Sequence, residues 1–177
     1  MIRHAAPSAA IAALLIAGMA QANTVEVYFV DPLDNLQNGD CDDISGGQGA
    51  QADPSAGLQG HTCNSPSGEI FVDQGFGPYR FADGIFYMPE VDACMHAPST
   101  QPGTALELVS CDGSEAQSFT FSGAGTITPA AAPQVCVTLG ADTRFGRSEE
   151  NQIKAMTLEP CSNGLAAFQI WSNRSAE

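Results

Sequence analysis

The chain has 177 residues, of which 20 are acidic and six basic, for a formal net charge of −14. A surface this acidic repels phosphate groups, so nucleic acid and anionic membrane are excluded as partners. Eighteen glycines and eleven prolines, with frequent Val, Ile, Phe and Thr, favour turns and short strands over helices.

In chain order, Arg3 precedes an apolar run over residues 9–17 and then Ala20-Gln21-Ala22, the small-x-small form of a cleavage site. These features predict a signal peptide over residues 1–22 and an exported chain, secreted or periplasmic, over residues 23–177. The apolar run is well short of the roughly 20 residues that cross a bilayer. All six cysteines follow the cleavage site, where an oxidising compartment lets them pair. Zinc ligation needs closely spaced pairs such as Cys-x-x-Cys, and the chain has none.

Beyond the leader an internal repeat runs through the chain. Gln74-Gly75-Phe76, Gln117-Ser118-Phe119 and Gln169-Ile170-Trp171 each place Gln two residues before an aromatic, with a cysteine upstream. Leu58, Leu106 and Met156 stand five residues before Cys63, Cys111 and Cys161, and Leu108 and Leu158 stand three before the last two, an alternation expected of strands. Ile85 and Ile127 lie nine before Cys94 and Cys136. Three units of roughly 40 to 50 residues follow, over about 25–77, 78–120 and 121–172. Residues 45–57, rich in Gly, Gln, Ala and Ser, read as a long flexible loop, and residues 142–151, with Arg144 and Arg147, as a second loop.

This spaced set resembles the ricin-B-type lectin domain, a β-trefoil whose repeats carry Gln-x-Trp and are each closed by a disulfide. The resemblance covers residues 25–171, with Phe76 and Phe119 standing where the family has Trp. It implies an all-β chain of twelve strands, a six-stranded barrel closed at one end by hairpins, and the disulfides Cys41–Cys63, Cys94–Cys111 and Cys136–Cys161.

The resemblance also implies where a sugar would sit. In this family the contacts come from an Asp two after the first Cys, residues four and two before the second Cys, and the Gln of Gln-x-aromatic with the residue before it. The first unit matches throughout, with Asp43, Gln59, His61, Asp73 and Gln74 as candidate carbohydrate-binding residues. The second has His96, Glu107, Val109 and Ala116 at these places, and the third Thr138, Thr157, Glu159 and Phe168, so both read as degenerate. A pyranose offers paired hydroxyls for a carboxylate and an apolar face for a ring. Each residue also has a structural alternative: Asp43 as a turn cap, His61 packed on the loop, Gln74 bridging backbone, and Asp40, Asp42 and Asp43 as calcium ligands.

The function this implies is an exported lectin-like protein with one monosaccharide pocket, galactose-type, without catalysis, cofactor or metal. The alternative is a protein-binding trefoil, an inhibitor or assembly module, for which Phe86-Tyr87-Met88-Pro89 would be an apolar loop tip. Oligomeric state is open. Histidines in different units and the absence of a Gly-x-Ser-x-Gly elbow argue against an enzyme.

Overall fold

The computed structural model describes residues 24–47, 49–65 and 70–175, so the leader lies outside the described residues. Among the described residues there are thirteen strands: β1 (Glu26–Phe29), β2 (Asp40–Ile44), β3 (Leu58–Thr62), β4 (Tyr87–Met88), β5 (Ala93–His96), β6 (Thr104–Ala105), β7 (Glu107–Val109), β8 (Phe119–Thr120), β9 (Ala124–Gly125), β10 (Thr128–Pro129), β11 (Val135–Phe145), β12 (Gln152–Pro160) and β13 (Trp171–Arg174). All pairings between them are antiparallel, and the remaining regular structure consists of short 3₁₀ turns.

The threefold plan is written in the register. Hairpins β2–β3, β5–β7 and β11–β12 are the same element in three copies, with Asp43 opposite Gln59, His96 opposite Glu107 and Thr138 opposite Thr157. Tyr28 pairs with Cys41 and Tyr87 with Cys94, while the Val137 amide donates to Ile127. The units join head to tail through the Gly77 amide donating to the Tyr87 carbonyl at 2.7 Å, β8 with β10, and β1 with β13. The count differs from twelve for local reasons. The last strand of the first unit shrinks to the Val25–Phe76 bridge, while β6 and β9 are short additions along β12 and β13.

The disulfides close Cys41–Cys63, Cys94–Cys111 and Cys136–Cys161, with Cα atoms 5.0, 5.1 and 5.1 Å apart. Each ties the strands of its own unit, and loops of this length contribute about 3 kcal/mol apiece.

Phe76, Phe119 and Trp171 are buried in the common core. Phe86 stands edge-on to both Phe76 and Phe119, at 6.1 and 5.8 Å between ring centroids, and Trp171 meets Phe29 the same way at 5.2 Å. Trp171 also donates its indole N–H to the Val137 carbonyl at 2.9 Å. Phenylalanine keeps the packing of that site and loses this hydrogen bond. Phe86 and Met88 are fully buried, so the stretch that suggested an apolar loop tip is core strand.

Residues 142–145 belong to β11, and the turn of its hairpin covers only the residues between Phe145 and Gln152. A bulge between Leu139 and Thr143 bends the hairpin, and its outer half then pairs with the first unit, Ile153 against His61 and Lys154 against Gly60. Gly60 permits this closeness, because a Cβ there would lie 2.2 Å from Leu139 Cδ1. The Thr62 hydroxyl fastens the tip, donating to the Glu150 carbonyl at 2.7 Å and accepting from the Gln152 amide at 2.9 Å.

Candidate functional site

The Gln of each Gln-x-aromatic does one job three times. Gln74, Gln117 and Gln169 donate to the carbonyls of Thr62, Ser110 and Pro160, each just before the second cysteine of its unit. Their carbonyl oxygens accept from the amides of Asn64, Asp112 and Ser162, each just after it. A buried amide thus satisfies the backbone of a turn that could not pair with itself. In the first unit, Gln74 has one further bond, from Nε2 to Asp43 Oδ2 at 3.0 Å. In the third, Gln169 reaches Thr138 at the matching place, at 2.9 Å.

Above this clamp the first unit opens into a cleft of about 560 Å³, the size of a small-molecule site. Asp43, Gln59, His61 and Asp73 all line it. They arrive from three elements: β2 supplies Asp43, β3 supplies Gln59 and His61, and the 3₁₀ turn Val72–Gln74 supplies Asp73. Gln74 is fully buried behind them, with its amide committed to Asn64, Thr62 and Asp43.

Asp43 differs from a free carboxylate acceptor. Its Oδ1 accepts from Gln59 Nε2 at 2.9 Å, its Oδ2 from Gln74, and it is 1% exposed. Burial, against the opposing effect of these amides and with the charge of Asp73 adding to it, pushes its pKa up to about 8. At neutral pH the group carries a proton for much of the time. Asp73 is less committed: Oδ2 takes the Gly49 amide at 2.8 Å, and Oδ1, though buried, has no hydrogen-bond partner among the described residues. Gly49 has φ 53°, a left-handed backbone that lets the wall of residues 49–57 turn its amide onto Asp73. That wall is therefore pinned to the site and contains two short 3₁₀ turns, Gly49–Gln51 and Pro54–Ala56.

Several lining residues had no signal in the repeat, four of them with side chains that bear on binding. Phe71, 50% exposed, presents a ring at the rim. Arg147, Asn151 and Ile153 come from the third unit's hairpin, brought there by the bulge in β11. His61 lies between β2 and β12, with Nδ1 3.1 Å from the Thr62 carbonyl. That contact suits the Nδ1–H tautomer and leaves Nε2 as an acceptor.

The equivalent places elsewhere hold no such arrangement. His96 Nδ1 meets Glu107 Oε2 at 3.2 Å on the surface, and Thr138 turns its hydroxyl to the Cys136 carbonyl. Asp40 and Asp42 alternate with Asp43 along β2, so the three acids do not converge on one ion. Among the described residues the one tight group of metal-type ligands is Glu26 with Cys41 and Cys63, whose sulfurs are already joined to each other.

A trefoil with three clamped turns and a polar cleft on one unit is the architecture of an R-type lectin domain. The chain belongs to the ricin-type β-trefoil lectin family, whose model matches residues 84–177. That match spans the second and third units, and the first repeats their register. Solved structures similar in fold include the C-half of an earthworm R-type lectin in complex with GalNAc, at 14% identity and TM-score 0.54, covering 86% of this chain and 98% of that one. A mutant C-terminal domain of an earthworm lectin, in complex with 6'-sialyllactose, has 17% identity and TM-score 0.55 over 86% and 98%. The designed threefold-symmetric ThreeFoil has 12% identity and TM-score 0.53 over 84% and 96%. No curated protein matches the chain.

Proposed function

We propose that the protein is an exported lectin without catalytic activity, binding one galactose-type sugar in the first-unit cleft. The observation that carries this reading is the convergence of Asp43, Gln59, His61 and Asp73 on a single cleft, in the one unit of three that has them all. The lone pairs of Asp43 and Asp73 that no protein donor takes accept sugar hydroxyls, Gln59 holds Asp43 from the side, and Gln74 holds it from behind. Phe71 supplies an apolar face for the ring, a role in which it exceeds His61 in exposed area. The GalNAc complex of the earthworm relative supports the choice of sugar class. Three disulfides suit an oxidising compartment, as export requires.

One shallow site of this kind gives a Kd on the order of 0.1 to 1 mM. Glycan-array binding of the protein as a multivalent conjugate tests the reading. Saturable signal on galactose-terminated glycans, lost in both Asp73→Ala and Phe71→Ala, is the expected result; signal on no glycan rejects it.

A further inference from the structure

The cleft is larger than one pyranose requires, and its far wall is built by another unit. Arg147 stands there as the sole cationic side chain among the lining residues, in a chain with six basic residues in all. The other described cations are mostly engaged. Lys154 pairs with Asp34, Arg174 with Glu26 and the Tyr28 ring, and Arg80 lies over Tyr87. Arg144 lies outside the cleft. Arg147 makes no hydrogen bond, ion pair or ring contact among the described residues.

Its backbone is held in place. Gly146 donates to the Asn151 carbonyl at 2.7 Å, the Asn151 amide donates to the Ser148 carbonyl at 3.1 Å, and the Thr62 hydroxyl binds Glu150. A guanidinium on an anchored turn, facing a cleft whose floor takes hydroxyls, is placed to grip an anionic group bidentately. Glu149 and Glu150 share the turn but do not line the cleft.

Resting on the lectin reading above, we infer that the preferred ligand is an anionic saccharide, with a neutral pyranose face on Asp43 and Asp73 and its acidic substituent on Arg147. The shared chemistry is a sugar-borne oxyanion, either a uronate carboxylate or a sulfate ester, and the probes separate the two.

The experiment measures Kd for methyl β-galactopyranoside, galacturonate and galactose 6-sulfate at low salt, for the unmodified chain and for Arg147→Gln. At least one anionic probe should bind threefold or more tighter than the neutral one, and the better of the two identifies the anion. In Arg147→Gln that preference should vanish while neutral-sugar affinity stays within twofold. Equal affinities in the unmodified chain, or a preference that survives in Arg147→Gln, overturns the inference and leaves the lectin reading standing. Failure of all three probes to bind overturns both.

Discussion

Residue by residue, the stretch Asp40-Cys41-Asp42-Asp43 divides its labour by the alternation of a strand. Asp43 faces the cleft and is held by two amides, whereas Asp42 is 1% exposed with neither oxygen hydrogen-bonded among the described residues. Burial, helped by the Asp43 charge, raises the Asp42 pKa well above the ordinary carboxylate range. The positions that follow the first cysteine in the other units explain the oddity, since Met95 and Val137 there are fully buried apolar side chains. Asp42 is therefore an acid in a site the fold otherwise fills with hydrocarbon.

A buried polar group without a partner costs about 1–3 kcal/mol, and an apolar replacement of similar shape removes that cost. Asp42→Leu should stabilise the protein by about that much in denaturant unfolding. The sign with pH follows from linkage. A carboxyl whose folded pKa is raised contributes its full stability below its unfolded value and loses it as pH rises toward the folded one. The advantage of Asp42→Leu over the unmodified chain should therefore grow between pH 4 and pH 8. An advantage that shrinks over that range would contradict the assignment.

Among the elements, the β11–β12 hairpin decides how much of the site could be read in advance. The repeat pattern located Asp43, Gln59, His61 and Asp73, because those places are fixed by distance from cysteines and from Gln74. It also carried the paired hairpins. Arg147 and Asn151 escaped it because they reach the cleft through a bulge and an inter-unit pairing, neither of which leaves apolar periodicity in a polar stretch such as Asp142-Thr143-Arg144. Phe71 escaped because nothing in a lone aromatic tells rim from core. The degree of protonation of Asp43 was equally invisible, since it depends on burial and on the neighbouring Asp73.

Gly60 tests this element directly. Its added methyl would meet Leu139, itself 1% exposed, and the Cβ of Lys154 at 3.4 Å. Overpacking at such a site costs about 1–3 kcal/mol. Gly60→Ala should lower unfolding free energy by that amount and weaken sugar binding as the far wall moves. Gly146→Ala, at the turn itself, has its nearest neighbour at the Asn151 Cβ, 3.2 Å away, and should cost less.

For the whole molecule, the threefold elements are shared among the units while the polar cleft is confined to one side of the first. Three disulfides, three glutamine clamps and three buried aromatics are shared among the units; the acceptors and the cleft are not. The decisive measurement is a calorimetric titration of methyl β-galactopyranoside into the unmodified chain, Asp43→Ala, His96→Ala and Thr138→Ala, with thermal unfolding recorded for each. Asp43→Ala removes the acceptor of two buried amides as well as a ligand contact, so it should bind at least tenfold more weakly and unfold at a lower temperature. His96→Ala and Thr138→Ala should bind within twofold of the unmodified chain. No saturable heat for the unmodified protein, or an equal loss across the three variants, would contradict a single sugar site in the first unit.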